Sequence, residues 1–269
     1  MLDGFGKTNL SAFRFLVLRM NSVQHTFEFE FLPTKADDPF IKHFSSRSKI
    51  DRDVIKDDIP SFLGRHKEFL VFSILNFDLK EIPPDYFILI TMARFSENYY
   101  AVRNKGLSIL ALGNWQRFMA PPSLLEFITT LILQESVAAI YPSLQSLFHF
   151  GTKGCLFDFT SIINDVKYKV LNAHICYSCR MALARSNHPN LADELTYVLS
   201  KEWLGNPSEP TSPASITSKL GYNLFTTKGL EATTWEKFVQ TIQQEGVKQL
   251  ITIVSGIALT ALLLWLGLK

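Results

Sequence analysis

The chain reads as an α+β body followed by one membrane-spanning helix, and three patterns lead there. Apolar runs of strand length recur through residues 11–112, a capped helical segment follows from residue 121, and 19 residues without a charge occupy 250–268. Strands first and helices afterwards is the order of an α+β domain. Composition agrees with a packed core: 47% of the 269 residues are apolar and 19% charged, far from a disordered chain. The formal net charge is only +2 and no block of five Lys or Arg occurs, so no nucleic-acid partner is expected.

Residues 1–66 are expected to form a strand hairpin and a charged surface segment. SAFRFLVLRM (11–20) and HTFEFEFLP (25–33) read as two strands joined through Asn21-Ser22. In the second, Phe27, Phe29 and Phe31 alternate with Glu28 and Glu30, which sends three rings to a core and two carboxylates to water. Residues 34–60 are highly charged and belong on the surface with one helix. Their paired carboxylates, Asp37-Asp38 and Asp57-Asp58, read as solvated faces.

Residues 67–204 carry the main domain. EFLVFSILNF (68–77) and YFILITMA (86–93) are continuous apolar runs bounded by charge and proline, the pattern of buried strands. YYAV (99–102), the turn Arg103-Asn104-Lys105-Gly106 and LSILAL (107–112) make a hairpin signal. Pro121-Pro122 and the capping-box pair Ser123 and Glu126 then open a helix that runs to Ile140. Residues 205–232 are rich in Pro, Ser and Thr and read as a linker.

Thr233 and Glu236 repeat the capping-box spacing and start a lead-in helix over 233–249, with Trp235, Phe238, Val239 and Ile242 on one face. Of the 19 residues in 250–268, eleven are Leu, Ile or Val. As a helix they extend about 28 Å, close to the hydrocarbon thickness of a bilayer, and contribute roughly 3–7 kcal/mol towards insertion. Lys248 and Lys269 bracket the run, and only Lys269 follows it. The expectation is a tail-anchored, single-pass protein with its soluble body in the cytosol and the bilayer as a partner. Gly256 and Thr260 form a small-x-x-x-small pair that suits helix association, hence a homo-oligomer.

The three cysteines are Cys155, Cys176 and Cys179. An odd number, two of them in C-x-x-C, fits a reducing compartment and a metal site better than a disulfide framework. Cys176 and Cys179 supply half of a tetrahedral zinc site, Cys155 a third thiolate, and His149 the fourth ligand, with His174 as its rival. Four protein ligands leave no open position, so the zinc is structural. Lys153, Lys167, Lys169 and Arg180 stand nearby and read as solvated.

The stretch CLFDFTSIINDVKYKVLNAHICYSCRMAL resembles the C-terminal zinc-binding part of archaemetzincin-type metallopeptidases, over about residues 68–203. The resemblance implies a zincin-like mixed sheet, an active-site helix before the cysteines, and a first ligand that here is His149 in place of Cys. The family's H-E-x-x-H-x-x-G-x-x-H is absent. The matching helix reads Gln134-Glu135-Ser136-Val137-Ala138, where Glu135 alone could be a relic of the catalytic Glu. Without the histidines no metal-bound water is activated. The implied protein is a pseudo-metallopeptidase: a membrane-tethered sensor or effector that binds a small molecule or a protein partner, suited to prokaryotic stress or phage defence. The alternatives are a tethered peptidase with unorthodox ligands among Glu135, His174 and His188, and a passive scaffold.

Overall fold

Alternation along two strands builds the layers of the body. In β3 (Phe87–Thr91) and β6 (Leu107–Ala111), Phe87, Leu89, Leu107, Ile109 and Ala111 pack into one apolar cluster, while Ile90 and Leu110 pack into another. The two strands run parallel, with Leu89 opposite Ile109. β1 (Leu2–Asp3) lies parallel on the far side of β3, and β5 (Ala101–Asn104) closes the other edge antiparallel, giving the order β1-β3-β6-β5. The predicted hairpin is present: Asn104 pairs with Leu107, and the second loop residue, Gly106, has φ +85°, a left-handed conformation that favours glycine at that turn position. A separate parallel pair joins β2 (Lys49–Ile50) to β4 (Arg94–Phe95).

The computed structural model describes residues 2–3, 10–44, 49–97, 99–115, 117–141, 143–159, 163–185, 188–229 and 232–266. They fall into two units, Met1–Leu230 and Glu231–Lys269.

One face of the sheet is covered by α2 (Pro39–Lys42) and α3 (Arg52–Asn76), the other by α1 (Leu10–Met20) and α4 (Leu124–Ile140). Helices therefore precede the central strands, and the strands-then-helices order is corrected; the mixed α+β class stands. Two of the expected strands are helices. Residues 11–20 form α1, which buries Ala12, Phe13, Leu16, Val17 and Met20 at helical spacing. Residues 68–76 end α3, which buries Ile55, Ile59, Phe62, His66 and Leu70 on one stripe and leaves Phe72 and Leu75 exposed, as is Phe77 at its C-cap.

Residues 25–33 are not in a sheet, yet the rings of Phe27, Phe29 and Phe31 pack on the core and Glu28 and Glu30 face solvent, as the alternation predicts. Two side-chain amides stand in for a neighbouring strand. Asn21 accepts from Phe29 N–H and donates to Phe29 C=O, both at 2.7 Å, and Gln24 does the same with Phe27 at 2.7 and 2.6 Å. Of the paired carboxylates, Asp38 is half-buried and engaged: it caps α2 and takes both forks of Arg65 at 2.9 Å. That hydrogen bond holds its carboxyl below the usual range.

α3 contains Pro60. A proline inside a helix leaves the carbonyl four residues back without its donor. That carbonyl, Lys56 C=O, instead accepts from the Asn104 side chain at 2.8 Å, so the β5–β6 turn repairs the helix.

After α4, the chain makes the short parallel pair β7 (His149–Phe150) and β8 (Asp158–Phe159), then α5 (Val166–Asn172), α6 (Tyr177–Ala184) and α7 (Leu191–Ser200). The capping box at Ser123 and Glu126 is formed in both directions. The expected linker is not a linker. Ser212 caps α8 (Pro213–Lys219), which packs on α1, and Ala214, Thr217 and Tyr222 are buried. Its Pro and Ser are there to start a helix rather than to keep the chain loose.

In the second unit the Thr233–Glu236 capping box opens α9 (Thr234–Thr241), whose Trp235 and Phe238 rings lie 5.5 Å apart and are exposed. A π-helical turn, Ile242–Gly246, leads into α10 (Val247–Trp265). Ile251, Val254, Ile257, Leu259 and Leu262 are all exposed there. Among the described residues no helix is long and apolar enough to cross a membrane. The end of the 250–268 run and several of its side chains, Thr260 among them, lie outside the described residues.

Candidate metal centre

C-x-x-C gathers here because it straddles a helix start. Cys176 is the N-cap residue of α6 and Cys179 sits in its first turn, so both sulfurs lie at the positive end of the helix. Cys155 reaches them from the loop between β7 and β8. Its backbone bridges to His174, with Leu156 N–H donating to His174 C=O at 2.9 Å, and Cys176 N–H donates to its sulfur at 3.3 Å. His149, on β7, turns Nε2 towards Cys176 Sγ at 3.5 Å.

The donor atoms of His149, Cys155, Cys176 and Cys179 all lie within 4.8 Å of one another. A zinc tetrahedron with arms of about 2.3 Å has edges of about 3.8 Å, so a group of this spread is close enough to hold an ion of that size. Between the two rival imidazoles, the structure brings His149 into the group and uses His174 through its backbone. Cys155 and Cys179 are buried. The Cys155 thiol is held far below the ordinary thiol range, first by the Cys179 thiol donating to it and against the cost of burial; Cys179 is correspondingly pushed up. Three sulfurs packed this closely behave as a site with surplus lone pairs, which a divalent cation would satisfy.

Asp158 completes the arrangement, and spacing alone does not assign it. Its Oδ2 accepts from the N–H groups of Lys153, Gly154 and Cys155 at 2.8, 2.6 and 3.1 Å, which shapes the loop carrying Cys155. Its Oδ1 lies 3.1 Å from His149 Nδ1, and neither atom has a hydrogen-bond partner elsewhere among the described residues. A carboxylate on Nδ1 fixes the tautomer that leaves Nε2 free to ligate. Gly154 is required in the same loop: its φ is +75°, and a Cβ there would stand 2.6 Å from the Asn172 side chain.

Glu135 is elsewhere and otherwise employed. It is wholly buried on α4, paired through both oxygens with Arg103, and it accepts from Ser108 at 2.7 Å and Gln134 at 3.1 Å. Burial works against the Arg103 charge, but Glu135 outweighs it and raises its pKa. Ser108 contacts Tyr86 at 2.6 Å, whose phenol is pushed up to about 12 by burial. Glu135, His174 and His188 do not come together, and no second metal-ligating group forms among the described residues.

Of the four neighbouring cations read as solvated, Lys153 is exposed and Arg180 is part-exposed, while Lys169 departs from that reading. Lys169 is buried, 1% exposed, with its ammonium on Tyr100 Oη at 2.5 Å and Gln134 Oε1 at 2.6 Å. Arg180 pairs with Asp193 and donates to Thr196 at 3.1 Å, so it serves α7 rather than the thiolates. No known protein family, curated protein or solved structure matches the chain, and nothing among them identifies an archaemetzincin-like peptidase.

Proposed function

We propose that the chain is a non-enzymatic, ligand-binding body, stapled by structural zinc and tethered to a membrane through 250–268. One observation carries the reading: the metal group is closed. Its four donors are all protein side chains, and its histidine is oriented by a carboxylate, the pattern of a structural rather than a catalytic site. The ion, once bound, supplies a cross-link between β7, the 151–155 loop and α6. Glu135 is committed to Arg103, Ser108 and Gln134 and has no oxygen to spare for activating water. A degenerate zincin-like body is the ancestry the resemblance suggests, supported by the order of hairpin, capped helix and cysteine group.

The tether is supported by the 19 uncharged residues at 250–268 and by the exposure of six large apolar side chains along α10, Trp265 included. Hydroxyls on this helix are turned inward: Thr252 donates to Lys248 C=O at 2.9 Å and Ser255 to Ile251 C=O, which removes polar groups a lipid environment would penalise.

Elemental analysis of the purified full chain tests the body: one zinc per chain with no peptide hydrolysis is expected. Two ions per chain, with cleavage lost in Glu135→Ala, would establish the peptidase instead. Resistance to alkaline carbonate extraction from membranes, lost on deletion of 247–269, tests the tether.

A further inference from the structure

A second constellation lies beside β5, away from the metal group's own ligands. A cleft of about 330 Å³ opens between the first turns of α3, β5 with the residues before it, Gln134 of α4, and the rings of Phe148 and Phe159. Arg52, Lys56 and Arg103 line it, and none of its lining residues is acidic. The carboxylate that balances Arg103 stands behind it, and the one that pairs with Arg52, Glu97 at 2.8 Å, is half exposed to water. Arg52 Nε is buried without a hydrogen-bond partner. Lys169, behind Tyr100 and Gln134, has no carboxylate partner among the described residues. The cleft therefore carries an excess of positive charge in a partly desolvated place, where an anion gains most.

Its other walls are aromatic. Tyr99 and Phe159 have ring centroids 6.3 Å apart and are 39% and 41% exposed, while Phe148 lies 6.4 Å from Phe159. The Arg52 guanidinium lies 3.7 Å from the Tyr99 ring centroid, so cation and ring adjoin. Inorganic phosphate would leave the rings unused, and a neutral aromatic would leave the cations unused. A planar base joined to a phosphate uses both, with Gln145, exposed at the rim, able to donate to and accept from a base edge. Ligand clefts run from about 300 to 1,000 Å³, and this one, at the low end, suits a single nucleotide.

We propose that this cleft binds one nucleotide, its phosphate on Arg52 and Lys56 and its base against Tyr99 and Phe159. The proposal names the ligand class for the ligand-binding body described above and rests on that reading. It also links the two sites. Phe148 precedes the ligand His149, and Phe159 follows Asp158, so the metal cross-link sets two rings of the cleft.

The test is calorimetric titration of the zinc-replete full chain in detergent with AMP, GMP, CMP and UMP, against adenosine and inorganic phosphate, at low salt. Saturable binding of at least one nucleotide is expected, about tenfold or more tighter than either fragment. Tyr99→Ala should weaken it about tenfold or more, and Tyr99→Phe should keep it. In the double variant Arg52→Ala, Lys56→Ala, a nucleotide should bind no better than adenosine, with zinc content unchanged to show that the fold is intact. No binding by any of the four, or fragments that bind as well as nucleotides, overturns the proposal. A chain that holds one zinc and binds no nucleotide refutes this inference and leaves the zinc-stapled reading in place; a chain without zinc refutes that reading itself.

Discussion

The metal group and the Glu135 network are both buried sets of chemically capable side chains, and they differ in how their charges close. Around Glu135 every acceptor meets a donor supplied by the protein: Arg103 provides the cation, and Ser108 and Gln134 fill the remaining lone pairs. Around Cys155 the protein supplies little: Cys176 N–H donates to the Cys155 sulfur at 3.3 Å, the Cys179 thiol donates to Leu147 C=O at 3.3 Å, and no arginine or lysine pairs with the three sulfurs and the imidazole among the described residues. A polar cluster that closes on itself is architecture. One that does not close on itself is placed to take a partner from solution, and three sulfurs with an imidazole are consistent with a metal ion such as zinc.

This contrast breaks first at the cysteines. Cys155→Ser or Cys179→Ser should abolish zinc retention and remove the folding energy linked to it, more than about 4 kcal/mol given the affinity of such sites. Elemental analysis and thermal melting with and without chelator read both effects; a variant that melts like the parent shows the cluster to be ion-free. Glu135→Ala should cost about 3–5 kcal/mol by leaving Arg103 buried without its counter-charge, and zinc content should not change. Loss of zinc in that variant would show that the two clusters are one cooperative unit rather than two.

Legibility in the sequence follows the same division between local and distant causes. The β5–β6 hairpin and the helix from Ser123 are announced by residues inside them: Gly106 at a positive φ, and Ser123 with Glu126. The four metal donors are readable because their chemistry is specific and their spacing short. Residues 11–20 are not readable in this way, since Phe13, Phe15 and Val17 alternate while Phe13, Leu16, Val17 and Met20 also share a helical face; only packing against α4 and α8 decides. Residues 68–77 mislead because a continuous apolar run fits a buried strand as well as the end of a helix, and α3 reaches them across Pro60 with the help of Asn104, 48 residues from the carbonyl it satisfies. Asp158 fails for the same reason: nothing local pairs it with His149. The cleft beside β5 draws on six separated segments, so no window of sequence displays it.

Asp158 offers the finer test of how an open cluster is kept ready. Asp158→Asn retains an acceptor for the loop amides but loses the negative charge on His149 Nδ1. Zinc affinity should fall about 10–100-fold, the usual effect of removing such a partner, and by linkage the zinc-saturated variant should lose about 1.4–2.7 kcal/mol of stability, melting a few degrees below the parent at equal zinc. Competition with a chromogenic chelator measures the first and a thermal melt the second. Equal affinities would mean that His149 is held by β7–β8 pairing alone.

The smallest effect belongs to the smallest closed cluster, a single carbonyl and its borrowed donor. Asn104→Ala leaves Lys56 C=O to water at a half-exposed place, so the loss should be only about 1 kcal/mol. Pro60→Ala makes the argument decisive, because an alanine N–H restores the intrahelical bond to that same carbonyl. In the Pro60→Ala background Asn104→Ala should therefore cost close to nothing. Denaturant midpoints for the two single variants and the double give the coupling directly. Additive losses would mean that Asn104 stabilises the hairpin turn for its own sake, and that α3 carries its proline unaided.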